Sequence, residues 1–393
     1  MVTIVILIIL ATISVNLLFN KNGIIKQAQN AKKIYEEAEV KEKLGLYYLL
    51  KDDEKTIKDF LIQDKLVDKE ELEKNGISNL KGYEDYYVIC DLAGLKKLSD
   101  DTENGIDYTG KTVYLVNDID CKASFNNQTG ELSSGDEFKP ISNFNGTFDG
   151  NDYEIKNLYI NIADENASAA LFKRTNKDSI IKNLVISDSY INGNKVVGAI
   201  VGYNYGKIYN CVNNSQVNGG SLVGGIVGRT YNIIDNCKNY GNIKTTGYQT
   251  GGIVGNCDFG EEIKISNCKN YGNIVSTMDT VGGIVGGAWR GNDDFKNVNI
   301  EIINCENYGK VGGEEIYNCI IGGIVGESRA TIKNCINKGE IKGYRRVGGI
   351  AGVTTYYNSK NTLIENCKND GNVVGTYTEI GGICGSNSGR NNI

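Results

Sequence analysis

Histidine is missing altogether from the 393 residues. That one zero removes Ser-His-Asp triads, Cys-His dyads and HExxH zinc sites. Proline and tryptophan occur once each, and a chain almost without proline can donate backbone hydrogen bonds along both edges of its strands. No CxxC occurs among the eleven cysteines, so zinc has no ligand pattern to occupy. Lys and Arg are scattered and the formal charge is −6, which leaves no basic footprint for nucleic acid. The doublet Arg345-Arg346 reads as a solvated corner. Glycine is plentiful instead: 49 residues, above the ordinary ~7% and without collagen's strict period.

The glycines belong to a repeat. Its clearest copy runs from Ile234 through Asn236, Cys237, Asn239 and Gly241 to Ile243, followed by Thr250-Gly-Gly-Ile-Val-Gly255. The cysteine returns at Cys211, Cys237, Cys268, Cys305, Cys335 and Cys367. An isoleucine stands three positions before each (Ile208, Ile234, Ile265, Ile302, Ile332, Ile364). An asparagine immediately precedes each (Asn210, Asn236, Asn267, Asn304, Asn334, Asn366), and another follows two positions later. A Val or Ile stands six positions after. The glycine-rich half begins at Val197, Val223, Thr250, Val281, Ile321, Val347 and Ile380, at intervals of 26, 27, 31, 40, 26 and 33 residues.

These intervals and their composition select an architecture. Helical repeats need long apolar stripes of period 3.6, which the units lack. Short β-branched runs punctuated by Gly and Asn read as brief strands joined by tight corners. One unit cannot bury its apolar side alone, so copies must stack. A propeller blade needs ~40–45 residues per unit, and only one interval reaches that. The fold class predicted is mainly β: a right-handed parallel β-helix (solenoid), one unit per coil, preceded by a long N-terminal α-helix. Equivalent residues then lie ~4.8 Å apart. The Ile and Val positions form inward columns, each side chain worth roughly 1.5–3 kcal/mol. Asparagines at one corner can form an amide ladder and tolerate the left-handed backbone that the corner needs. The cysteines invite a disulfide reading, because column neighbours fall within Cα range. Parallel Cβ vectors make the dihedral awkward, however, and an odd total leaves a thiol over. We expect a buried column of free thiols, and read the further match at Cys319 as chance.

The glycine-rich elements with I-x-N-C-x-N-x-G-x-I between them resemble GLUG-motif repeats, over roughly residues 85–393. The copies depart at Ala199, Thr250, Ala351 and Cys384, all small or apolar. The resemblance implies a β-helical protein at the bacterial cell surface, outside the cell, with adhesion or glycan contact. It implies no single reaction and no cofactor.

Along the chain, residues 2–19 are an uncharged apolar run of 18 residues, which meets the lower limit of ~17–25 for a membrane span. With residues 20–33 it resembles the N-terminal helix of type IV pilin-like proteins, although the basic leader, its Gly cleavage point and the acidic residue near the mature start are missing. The expectation is a start of translation downstream of the true one, or a degraded copy. Residues 24–75 read as amphipathic helix with mixed charge, a stalk that could also assemble against sister pilin-like helices. The domain expectation is therefore 1–19 membrane helix, 20–78 helical stalk, 79–138 N-terminal cap of the β-helix and 139–393 repeats. No matching C-terminal cap follows Gly385, so we expect either truncation or a partner closing the last coil.

Three kinds of residue could carry chemistry. Asp118, Asp120 and Asp149 stand beside strand ends, where pectate-lyase-like β-helices hold calcium with acids. They recur in no column, and N-D-I-D and F-D-G also form turns. No repeat-aligned carboxyl pair supports a glycosidase, so no catalytic residue is assigned. Tyr240, Tyr271 and Tyr308 share the position three after the cysteine, then give way to Lys338 and Asp370. Stacked tyrosines more often simply cover a neighbouring loop; facing outward they would instead be an aromatic strip for sugar rings, with Trp289 a second candidate. The expected function is a membrane-tethered surface module contacting glycans, proteins or a host or cell-wall surface. Alternatives are a structural pilin-like subunit and a polysaccharide lyase or hydrolase.

Overall fold

The structure, a computed structural model, describes residues 21–50, 56–164, 166–258, 262–278, 280–288, 299–312, 319–355 and 362–387. The chain divides into two compact units, Met1–Lys69 with Leu80–Glu84, and Glu70–Asn79 with Asp85–Ile393.

In the first unit, helix α1 (Lys21–Leu50) is followed by α2 (Ile57–Gln63), and α3 (Lys69–Asn75) begins at the unit's edge. The single amphipathic helix expected over 24–75 is thus interrupted. Thr56 is extended (φ −92°, ψ 166°); its hydroxyl accepts the Asp59 N–H while the Asp59 carboxylate accepts the Thr56 N–H. That reciprocal cap starts a new helix. α1 buries Val40, Leu44 and Tyr47. Tyr47 stacks on Phe60 at 5.6 Å and donates its hydroxyl proton to Asp64 at 2.5 Å. The apolar run 2–19 lies outside the described residues, and among those described no helix is long and apolar enough to cross a membrane.

The second unit is a parallel β-helix. The coil containing Cys237 shows its plan, with strands Ile234–Asp235, Lys238–Asn239, Ile243–Thr245, Thr250–Gly251 and Val254–Cys257. Each strand pairs in parallel with its counterparts in the coils above and below, which generates five parallel sheets, numbered 1 to 5 in that order. The isoleucine before the corner runs through sheet 1 in unbroken register: Ile208, Ile234, Ile265, Ile302, Ile332, Ile364. Register survives the unequal intervals because a one-residue slip would turn every core side chain outward. Sheet 3 aligns Val217, Ile243, Ile274, Val311, Ile341 and Val373.

At the start of the stack, strand Tyr83–Ile89 pairs through Tyr86–Ile89 with Thr112–Leu115. Between them helix α4 (Leu92–Glu103), capped by Asp91, buries Leu95 and Leu98. The Ser99 hydroxyl donates to the Lys139 carbonyl at 2.7 Å, which ties the helix to the first coils. Their core is aromatic, with Phe144, Phe148 and Phe172 in mutual contact at 5.2–6.4 Å. At the other end, the final described coil leaves Ile380 41% exposed, whereas its counterpart Val347 is fully buried.

Candidate functional site

The corner between sheets 1 and 2 decides which side chains reach the surface. Asn210, Asn236, Asn267, Asn304, Asn334 and Asn366 all occupy the left-handed region, φ 53–55°, where asparagine is among the few tolerated side chains. Up to Asn334 their amides point outward and donate to the preceding coil: Asn210 to Asn183 (3.0 Å), Asn236 to Asn210 (2.8 Å), Asn304 to Asn267 and Asn334 to Asn304 (3.2 Å each). At Asn267 the acceptor is instead the Asp235 carboxylate, at 2.7 Å.

The reversal turns the next residue inward. Cys211, Cys237, Cys268, Cys305 and Cys335 are buried, Cys367 in the last coil is half-buried, and none of the eleven cysteines is in a disulfide. Each thiol of the column leans on the carbonyl two residues before it, at 3.1–3.4 Å. Burial pushes the Cys237, Cys268 and Cys305 thiols well above their ordinary pKa, so they pack as small apolar groups rather than as nucleophiles. Two residues further on, a second asparagine file points into the core.

The next position emerges on the surface as Asn214, Tyr240, Tyr271, Tyr308, Lys338 and Asp370. Tyr240 and Tyr271 stack at 4.6 Å with rings 3° apart, and Tyr271 and Tyr308 at 4.7 Å and 12°. The Lys338 ammonium caps Tyr308 at 4.4 Å. The platform expected from sequence therefore takes a different form. One rung separates successive rings, which is stacking distance, so each ring face is spent on its neighbour and rims point outward. Tyr240 alone keeps a face open, on its Asn214 side, and is 47% exposed. At the far end, Glu306 accepts from Lys269 (2.7 Å), Lys338 (2.9 Å) and the Tyr308 hydroxyl (2.5 Å). Lys269 leads the donors that hold its carboxyl down to about 2.

The open face of Tyr240 looks into a polar groove of about 430 Å³. Asn157, Asp188 with Ser189, Asn214 with Gln216, and Tyr240 with Asn242 line it from four successive coils. Its far wall is the antiparallel hairpin Ser124–Phe125 and Leu132–Ser134, with Phe125 and Asn127 facing the groove. Phe125 seats the hairpin by packing on Tyr159 (5.8 Å) and Tyr190 (5.7 Å), which stack on each other at 5.4 Å. Ser189 and Ser215 are committed to the scaffold: the Ser189 hydroxyl accepts the Leu158 N–H and the Ser215 hydroxyl accepts the Ser189 N–H. The side chains of Asn127, Asp188 and Asn214 make no hydrogen bond within the described residues and are exposed.

The acids suggested as calcium ligands are held apart. Asp118 accepts the Glu154 N–H. Asp120 lies in sheet 2 opposite Lys156 and accepts from the Asn157 amide and the Lys122 N–H, which together hold its carboxyl below the usual range. Asp149 lies in sheet 1 opposite Lys182, taking its ammonium at 3.4 Å and the Asn183 amide at 2.8 Å. Asp149 therefore begins the asparagine file of one corner and Asp120 holds the single Asn157 at another, and the two do not converge on one cation. Among the described residues no group of three or more His, Cys, Asp or Glu is placed to hold a metal. Trp289 lies outside the described residues. Arg345 and Arg346 are paired with Glu379 at 2.6 and 3.2 Å.

With these features in place, the class is a repeat-built parallel β-helix, and comparison with known proteins agrees. Residues 343–374 match the GLUG motif. A stretch of 126 residues, 32% of the chain, is 32% identical to halomucin of Haloquadratum walsbyi, and the chain spans about 1% of that protein's length. Among solved structures, a Bacteroides ovatus protein provisionally described as an immunoglobulin A1 protease superposes with a TM-score of 0.50 at 22% identity, covering 72% of this chain and 83% of its own. At that identity the likeness is one of fold. A second structure, named IgA1 Protease, gives 0.49 at 16% identity over 70% of this chain and 21% of its own.

Proposed function

We propose that this chain is a cell-surface repeat module, displayed outside the cell and attached through the apolar run 2–19, that contacts glycans in the groove beside Tyr240. The GLUG match and the halomucin-like stretch support the surface reading. One observation carries the glycan reading: the only open ring face of the tyrosine stack forms the wall of a polar groove, next to side chains with unused hydrogen-bonding capacity. Sugar recognition needs that pairing, an aromatic face for the ring's C–H side and amides for its hydroxyls. A buried thiol column and dispersed carboxylates supply no reacting group, so binding without turnover is the activity this geometry favours.

A glycan array probed with the full chain tests it. The array should retain the native protein and Tyr308→Ala, whose ring faces are already covered. Tyr240→Ala should lose most of the signal, about tenfold for one ring contact of ~1.4 kcal/mol. Equal retention of the Tyr240 variant, or no glycan retaining the native chain, would overturn the proposal.

A further inference from the structure

We infer that the groove selects neutral, hydroxyl-rich oligosaccharides over anionic ones and holds them along the stacking axis; this rests on reading the groove as a glycan site. The charge of the lining comes first. Among the described residues no Lys or Arg lines the groove, and its one carboxylate is Asp188. A uronate or sulfate is recognised through charge-assisted hydrogen bonds from cationic side chains, and here it would meet a carboxylate instead. A neutral hydroxyl meets the opposite situation. The Asn214 and Asn127 amides each offer donors and acceptors, and Asp188 accepts from a hydroxyl without losing its own solvation to a like charge.

The direction follows from the repeat. Lining residues come from four consecutive coils at the same corner, so hydrogen-bonding groups recur every ~4.8 Å along the axis. The hairpin wall runs beside them, and Tyr240 closes one end of the row with its ring face. A short linear chain laid along the axis therefore meets a further polar side chain at each rung and ends against the ring. A chain laid across the axis would contact one rung and leave the others solvated.

Titration of the full chain with neutral gluco-, manno- and galacto-trisaccharides, with trigalacturonate and with a sulfated trisaccharide tests both statements. Neutral trisaccharides should bind more tightly than the matched monosaccharides and at least about fivefold more tightly than the acidic probes, the effect of one like-charge contact near the surface. Asp188→Asn should narrow that gap by raising acidic binding; the readout is the ratio of neutral to acidic affinity, because Asp188 also accepts from neutral hydroxyls. The variant is a fair probe because Asp188 sits at φ 46°, where asparagine is equally tolerated. Tighter binding of trigalacturonate or of the sulfated probe would overturn the neutral assignment and leave the glycan site standing. Equal affinity for mono- and trisaccharides would overturn the axial placement. Failure of every probe to bind would remove both this inference and the reading beneath it.

Discussion

Asn267 and Asn270 stand three residues apart in one coil, and their amides meet opposite surroundings. Asn267 is exposed, left-handed, and donates one hydrogen bond to the Asp235 carboxylate. Asn270 is fully buried. Its amide donates to Asn307 at 2.8 Å and to the Gly272 carbonyl at 2.9 Å, and its oxygen accepts from Asn239 at 2.8 Å. The same pattern runs from Asn213 to Asn369. The files also run in opposite senses, the buried one donating forward and the exposed one backward. Gly272 belongs to the buried arrangement: a methyl there would lie 1.9 Å from the Gly241 carbonyl. Repetition thus builds two ladders from one residue type. In the outer one the backbone conformation matters most, and in the inner one the hydrogen bonds do.

The sharpest way to separate them is an isosteric change that reverses donors into acceptors. Asn270→Asp would face the oxygens of Asn307 and Gly272 with an acceptor, inside a core where each orphaned group costs ~1–3 kcal/mol and an uncompensated charge ~3–5 kcal/mol. We expect a loss of about 3 kcal/mol or more in denaturant unfolding. Asn304→Asp in the exposed file should cost less than ~1 kcal/mol; the Asp235 carboxylate already serves as an acceptor in that file. Equal losses in the two variants would end the distinction.

A smaller effect isolates the backbone's share. At Asn236, φ is 53°, a region that costs an ordinary side chain about 1–2 kcal/mol. Asn236→Ala should therefore lower stability by about 1–2 kcal/mol, and Asn236→Gly should recover most of that loss because glycine accepts the left-handed region freely. Thermal melts of the pair decide it. If glycine is as damaging as alanine, the hydrogen bond to Asn210 rather than the corner carries the site.

Much of this was readable before any coordinates, and the reason is periodicity. Offsets of three, one, two and six residues around each cysteine become columns once coils stack, so the Ile register follows from the spacing. What escaped lies where the repeat is silent. The hairpin wall with Phe125 and Asn127 is a unique segment with no copy to compare, so it read only as part of a cap. The tyrosines were visible as a stacked file, but not that stacking covers all their faces except one, on Tyr240. Asp188, Asn214 and Gln216 look like ordinary turn polar residues in sequence. They matter only because four coils bring them to one side of a hairpin.

The mildest test concerns the ionic end of the tyrosine file, which is set apart from the buried amide file by its response to pH. Glu306 gathers Lys269, Lys338 and Tyr308, and its carboxyl is held at about 2 against an ordinary 4.5. A carboxyl depressed on folding contributes stability that is fully present above the unfolded value and disappears as pH falls through the folded one. The window is therefore from about pH 4.5 down to about pH 2. Because the cluster is partly open to solvent, its worth is bounded by that of surface pairs, below ~1 kcal/mol, and falls with added salt. Glu306→Gln should unfold slightly more easily than the native chain at pH 7, with the gap closing through that window. Asn270→Asp should remain strongly destabilised near pH 7 at any salt concentration, because its orphaned partners lie in the core rather than in a screened surface pair. A Glu306→Gln gap that stayed constant down to pH 2 would show that the cluster is held by packing of the tyrosine rims and not by charge.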